Sequence, residues 1–330
     1  MSLKSPLVTV LMPVFNGKAY LKDSIDSILS QDFHDYELLI INDGSKDCSL
    51  NIIKLYQDPR IYLISQINQG LARSLNNGLK IASGKYIIRQ DQDDISLPTR
   101  ISKQVAYLEE NPECALVGTR AQIYEGDTKS NRFHDHPTNS GELSFDLIFN
   151  NPFVHSSVAF RKDEVIDLGG YSEDPERQPP EDYELWSRIS RSYKVANLPE
   201  RLVLYRESKG SMSRVSAENP FTKKLVTISA ENLANACGLL EVDQACKDFG
   251  ALTHSDPASL SANPDLEKIS GYVRKAASNI GEKFRGAAID ERAESRIRTL
   301  RYQYLLNKSR SKYFQAIVNK ARSLVRKIRR

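Results

Sequence analysis

Cysteine is scarce in this chain of 330 residues: Cys48, Cys114, Cys237 and Cys246 are scattered and form no C-x-x-C pair. That excludes a disulfide scaffold, argues against a structural zinc site and fits a reducing compartment. Long apolar runs are missing too. No stretch approaches the ~18 residues needed to span a bilayer, and the start, MSLKSPLVTV, has no apolar segment of signal-peptide length. A cytosolic location is expected. With 16 glycines and 14 prolines there is no collagen-like or low-complexity composition, and no internal repeat is evident. What remains is a folded, core-forming chain, 40% hydrophobic and 27% charged.

The net charge of +4 hides a split. Residues 296–330 carry twelve Lys or Arg and no acid, leaving 34 basic against 42 acidic residues elsewhere. An acidic body with a basic tail points to a negatively charged partner, membrane or nucleic acid.

From Val8 to about Gly118, β-rich runs (Val8 to Val14, Glu37 to Asn42, Ile61 to Ile64, Tyr86 to Arg89, Ala115 to Val117) alternate with helical stretches. The helical stretches are Tyr20 to Ser30, Ser49 to Tyr56, Ala72 to Ala82 and Arg100 to Asn111. Such alternation predicts an α/β fold with a Rossmann-like, mostly parallel sheet flanked by helices. After a polar segment, 125–142, a strand at Phe153 to Phe160, helices from Lys162 and Glu181, and a run at Leu202 to Tyr205 are expected. We therefore expect a domain over 1–215, in two halves at 1–118 and 119–215. A helical extension follows at 216–330, with helices over Lys223 to Leu240, Leu266 to Asn279 and Glu291 to Arg330.

Ligands of open α/β sheets bind beyond the carboxyl ends of the strands. There stand Asn42, Asp43, Gly44 and Ser45 after the second strand and Asp91, Gln92, Asp93 and Asp94 after the fourth. Three carboxylates in four residues repel one another, an arrangement that suits a hard divalent cation sharing them with ligand phosphates. The alternative is a solvated acidic turn or a helix cap before Pro98.

Five ordered segments, IINDGSKD, NQGLARSLNNGLKIASGKYI, RQDQDDISLPTRISKQ, NPFVHSSVAFRKDEV and EDYELWSRI, resemble the inverting nucleotide-sugar glycosyltransferases of family 2, which have the GT-A fold. The resemblance runs from about Val8 to Ser213. It implies that Asp43 accepts from the imide N–H of a uracil, although Asn42 stands where the family often has a first aspartate. It makes Asp91, Asp93 and Asp94 the D-x-D group, with Asp93 and Asp94 nearest the ribose and a Mg²⁺ or Mn²⁺ that serves the departing diphosphate as a Lewis acid. The E-D pair, Glu181 and Asp182, follows Pro179 and Pro180, and the resemblance puts the general base on Asp182; by itself such a pair also complements a helix N-terminus. Glu181 would orient a substrate or cap the helix, and Trp186 would pack under the site.

Arg73 is either a positive charge near the donor or part of a solvated helix face, and His155 either a core histidine or a neighbour of the donor phosphates or acceptor. LYRESKGSMS resembles the family's Y-R-x-H-x-x-S-x-S with Ser208 in place of the histidine, which leaves the third metal ligand open. Arg206, Ser211 and Ser213 remain candidates for the diphosphate.

In the tail, Phe314, Ile317, Val318, Ala321, Val325 and Ile328 keep a 3.6-residue period, with Lys312, Arg322, Arg326 and Arg330 towards the other face. Residues 309–330 thus read as a basic amphipathic helix for an anionic membrane surface, with about 1 kcal/mol per Lys or Arg near it, or as a helix packed on the body. Nucleic acid is not expected, for want of a base-reading motif.

The expected function is metal-dependent, inverting transfer of a sugar from a UDP-sugar to a hydroxyl of a glycan or lipid-linked acceptor at the cytosolic face of the inner membrane. Bacterial surface polysaccharide (capsule, O-antigen or exopolysaccharide) assembly suits it. The Q-x-x-R-W motif of processive synthases is absent, which favours single addition. A sugar nucleotidyltransferase would show a Gly-rich basic loop near the first strand, which VLMPVFNGKAY is not, and a dinucleotide oxidoreductase would show G-x-G-x-x-G. A non-catalytic scaffold of the same fold is the third alternative.

Overall fold

The computed structural model describes residues 5–207, 219–284 and 289–308. The chain forms two compact units divided between Lys224 and Leu225. In the first, β1 (Val8–Val14), β2 (Tyr36–Asp43), β3 (Ile61–Gln66) and β4 (Tyr86–Arg89) make the parallel part of one nine-stranded sheet. β1, β2 and β4 are buried along their whole length. Both faces are covered by helices, so the runs are near-continuously apolar rather than alternating.

The connecting helices are α1 (Leu21–Leu29), α2 (Ser49–Lys54) and α3 (Leu71–Ile81), followed beyond β4 by the two-residue β5 (Ile95–Ser96) and α4 (Arg100–Glu110). On α3 the buried positions Ala72, Leu75 and Leu79 keep the helical period. Gly78 lets that face settle on β1: a Cβ there would lie 2.3 Å from Leu11 Cδ1.

The rest of the sheet is mixed: beyond β4 come β8 (Ala159–Arg161), β6 (Cys114–Glu125), β9 (Lys194–Glu207) and β5, in the order β3-β2-β1-β4-β8-β6-β9-β5, with β7 (Thr128–His134) on β6. β6 (Cys114–Glu125) turns back into β7 (Thr128–His134); then come α5 (Ser140–Asp146), a 3-10 turn His155–Ser157, β8 (Ala159–Arg161), α6 (Lys162–Asp167), α7 (Glu181–Ser192) and β9 (Lys194–Glu207). Three expectations change here. The polar segment 125–142 contains β7, an edge ribbon too exposed to show apolar alternation. The strand expected from Phe153 shrinks to Ala159–Arg161, because Ser157 donates from both its N–H and its Oγ to the Val154 carbonyl and folds the chain into a turn. The run at Leu202 to Tyr205 extends back to Lys194.

From Asn219 the elements of the described residues are helices: α8 (Asn219–Ala236), α9 (Gln244–Thr253), α10 (Leu266–Lys283) and α11 (Ile289–Lys308). The second unit buries Leu233, Phe249, Leu252, Ile269, Val273, Ala276, Ile297 and Leu300. The sequence pattern missed α9, which Asp243 caps by accepting from Cys246 N. None of the described helices is long and apolar enough to cross a membrane. The basic tail at 309–330, together with Ser208, Ser211 and Ser213, lies outside the described residues.

Candidate active site

The carboxyl ends of β1, β2 and β4 lie side by side, and the loops leaving them are laced together by side chains. Asp43 ends β2 almost fully buried, with Oδ1 accepting from Gln66 Nε2 (2.8 Å) and Gln69 N (2.8 Å) and Oδ2 from Gly70 N (2.9 Å). Three of about four acceptor positions on the carboxylate are thereby filled. Gly44 follows at φ +71°, and a Cβ there would stand 2.7 Å from the Asn68 backbone nitrogen, so the turn needs glycine on two counts. Gln92 closes the loop after β1, accepting from Phe15 N (2.9 Å) and donating to Phe15 O (3.1 Å).

The three aspartates after β4 do not act alike. Asp91 and Asp93 are partly exposed. Burial and the charge of Asp91 push the Asp93 carboxyl up to about 6. Asp94 is 1% exposed and committed inward: Oδ1 accepts from Arg206 N at 2.7 Å and Oδ2 from Ser156 Oγ. Asp94, expected beside a metal, is thus enclosed, with one oxygen on β9 through Arg206 and the other on the 3-10 turn through Ser156.

Arg206, expected at the diphosphate, is 3% exposed: its Nε donates to Asp93 O (2.9 Å), its Nη1 to Gly126 O and Asp127 Oδ1 (2.6 Å), and its guanidinium lies 3.9 Å from the Tyr20 ring centroid. It buttresses the Asp93 backbone. Arg73 lies on an exposed face, where its Nε donates to Glu173 Oε2 at 3.0 Å.

Sequence patterns overlooked Arg89, the last residue of β4. It is fully buried and donates from Nη2 to Asp91 Oδ1 at 2.7 Å and from Nη1 to Gln90 O. Its charge acts on Asp93, Glu181, Asp182 and His155, so one buried cation serves both the D-x-D group and the E-D pair. The available signal was a lone arginine in the apolar run YIIR. Arg100, also fully buried, braces this strand end through Nη2 to Arg89 O (2.7 Å) and Nη1 to Gln90 Oε1 (2.9 Å).

Glu181 and Asp182 open α7. Glu181 is buried, its carboxyl raised to about 7 by burial and by the Asp182 charge, and its Oε1 lies 3.8 Å from His155 Nδ1. Asp182 is partly exposed, and burial raises its carboxyl to about 6, with Asp91 adding to the shift. Its Oδ1 accepts from Tyr183 N (2.7 Å) and its Oδ2 from Asn151 Nδ2 (2.8 Å). His155 is held well below the usual imidazole range by burial and by the Arg89 charge, and its Nε2 lies 3.2 Å from Tyr171 Oη. It sits in an aromatic nest with Tyr171 and the fully buried Trp186, which packs beneath the pair as expected.

Among the described residues no group of three or more His, Cys, Asp or Glu side chains is arranged to hold a metal ion. Two partly exposed carboxylates, Asp91 and Asp93, the charge of the first raising the carboxyl of the second, fit a different site, one in which a hard cation takes one or two carboxylates and completes its shell with substrate phosphates and water.

Residues 9–169 match the family described as glycosyl transferase family 2. An uncharacterized glycosyltransferase of Haemophilus influenzae is 34% identical over 72% of this chain and 76% of its own. The O-antigen biosynthesis glycosyltransferase WbnJ of Escherichia coli is 32% identical over 61% of this chain and 79% of its own. Among solved structures, S. aureus TarS in complex with UDP-GlcNAc superposes with a TM-score of 0.60 at 14% identity, covering 90% of each chain. The mannosyltransferase PcManGT of Pyrobaculum calidifontis, in complex with GDP-Man and Mn²⁺, gives 0.54 at 16% identity, covering 92% of this chain and 88% of its own. The strand-end carboxylates and the E-D pair therefore lie in a GT-A fold, and the chain belongs to glycosyl transferase family 2 and is a glycosyltransferase.

Proposed function

We propose that the enzyme transfers a sugar from a UDP-sugar, with inversion, to a hydroxyl of a glycan or lipid-linked acceptor in bacterial surface polysaccharide assembly. The observation that carries this reading is Asp182: of the E-D pair it is the partly exposed carboxylate, and each of its oxygens accepts a single hydrogen bond. It is thereby positioned to take the acceptor proton. The acceptor oxygen bonds to the anomeric carbon as the bond to the diphosphate breaks; the electron pair leaves with the diphosphate and the proton goes to Asp182. Asp43, with an acceptor position left on its carboxylate, would receive the uracil imide N–H.

Asp91 and Asp93 would hold Mg²⁺ or Mn²⁺, which when bound neutralises charge on the departing diphosphate. Arg89 keeps Asp91 in place and supplies an inner positive charge beneath the rim. The polysaccharide setting rests on relatives such as WbnJ, whose name places it in O-antigen biosynthesis. A cytoplasmic enzyme held peripherally at the inner membrane through 309–330 is part of the proposal. The basic amphipathic pattern of that segment supports it, and liposome flotation with 309–330 deleted tests it: unchanged binding refutes it.

The central test is a screen of nucleotide sugars for Mn²⁺-dependent UDP release, run beside Asp93→Ala and Asp182→Asn. Both variants should lose about 10²–10⁴-fold in kcat. Turnover equal to wild type in both removes the mechanism.

A further inference from the structure

Asn151 lies 31 residues before Asp182 in the chain, yet its side chain meets that carboxylate. The orientation of its amide follows from its other contact. Oδ1 accepts from Phe153 N at 3.0 Å, which leaves Nδ2 as the end that donates to Asp182 Oδ2 at 2.8 Å. The backbone that carries Asn151 is itself held: Asn197 on β9 donates from Nδ2 to Pro152 O (3.2 Å) and to Pro137 O (3.0 Å), and Phe153 is buried. The amide is therefore in place independently of Asp182. With Tyr183 N on Oδ1, each oxygen of the partly exposed Asp182 side chain has one donor and keeps acceptor capacity.

We propose that Asn151 is a positioning residue for acceptor deprotonation: its Nδ2 fixes the Asp182 carboxylate in one rotamer and stabilises negative charge on Oδ2, leaving the remaining lone pairs for the acceptor hydroxyl. The inference rests on Asp182 being the base. The charged or titratable groups acting on Asp182 from other positions are Arg89, Asp91, Glu181 and Tyr171. Their influence is exerted through space, whereas Asn151 supplies a directed hydrogen bond that sets geometry as well as charge.

Two variants separate this role from the turn that Asn151 also makes. Asn151→Ser keeps a short acceptor near Phe153 N, adds no charge and is too short to reach Asp182; Asn151→Asp keeps the size and the Phe153 contact but replaces the donor. Each is compared with wild type by ¹³C-carboxyl NMR titration, with Asp182 assigned from its disappearance in Asp182→Asn. Each is also compared in kcat and donor KM, using a UDP-sugar that the wild type turns over with Mn²⁺. The Asp182 midpoint should rise by about one pH unit in the serine variant. In both variants kcat should fall ~10–100-fold while donor KM stays within about twofold, the loss expected for one hydrogen bond to a charged group. An unchanged midpoint and unchanged kcat in whichever variant folds, with Asp182→Asn inactive, would overturn the role of Asn151 alone. Wild-type turnover by Asp182→Asn would overturn the assignment of the base, and this inference with it.

Discussion

Arg89 donates to Asp91 at 2.7 Å across a boundary of burial: the arginine side chain is fully enclosed, while that of the aspartate is 30% exposed. The two ends of this ion pair are therefore not equivalent. Removing the carboxylate leaves an enclosed guanidinium with only the Gln90 carbonyl as its hydrogen-bond partner among the described residues, whereas removing the guanidinium leaves a carboxylate that water can still reach. Asp91→Ala is expected to destabilise by about 3 kcal/mol and Arg89→Met by less, read as urea midpoints at pH 7. Equal losses would mean that Arg89 is balanced by the other carboxylates rather than by Asp91.

The pH profile follows from Asp182, whose carboxyl stands at about 6. The base form is the ionised one, so kcat should climb about tenfold per pH unit below 6 and level off above 7. A profile flat from pH 5 to 8 at saturating donor would exclude Asp182 as the titrating base.

Stability should move the other way. Asp93, Glu181 and Asp182 all have folded-state values above those of free carboxyls, so their protonated forms favour the fold. The stability they contribute is fully present below about pH 4 and is lost as pH rises through 6 to 7. A cation gripped by Asp91 and Asp93 relieves that repulsion only where the carboxylates are ionised. Mn²⁺ with UDP should therefore raise Tm more at pH 8 than at pH 5, and EDTA should erase the difference; a shift independent of pH would place the cation elsewhere.

Much of this site was legible in the sequence, and the exceptions share a cause. β1, β2 and β4 are enclosed on both faces and read as plain apolar runs, so the strand ends and their acidic clusters could be located. β7 could not, since an exposed edge ribbon of TKSNRFH carries no burial pattern. Adjacent residues posed the harder problem. A D-x-D motif gives no indication that Asp93 stays at the rim while Asp94 turns inward, because that depends on Ser156 and Arg206, which come from distant parts of the chain. Arg89 and Asn151 are invisible for the same reason: their partners are set by the fold, not by spacing.

The D-G-S turn offers a test of backbone rather than charge. Gly44→Ala places a methyl at φ +71° and against the Asn68 nitrogen at 2.7 Å, in the loop that Asp43 organises. Strain of about 1–2 kcal/mol is expected from the left-handed backbone, with more from the contact. Because the displaced loop holds Asp43, UDP affinity by calorimetry should weaken along with Tm. Lowered Tm with unchanged UDP affinity would separate this turn from donor binding.

The inward aim of Asp94 leads to an unequal pair of amide variants. In Asp94→Asn the carbonyl oxygen can still accept from Arg206 N, and the amide can donate to Ser156 Oγ, whose hydroxyl rotates to accept; the junction survives with the charge gone. In Asp93→Asn a partly exposed rim carboxylate is lost and nothing replaces its charge. Asp94→Asn should therefore keep Mn²⁺-dependent turnover within about tenfold of wild type, while Asp93→Asn falls by about 10²-fold or more and requires higher Mn²⁺. Asp94→Ala, by contrast, leaves the Arg206 N–H and the Ser156 hydroxyl buried without a partner and should unfold at lower urea, by about 2–4 kcal/mol. A Mn²⁺ requirement raised equally by both amide variants would return Asp94 to the metal and show that its side chain turns outward when the donor binds.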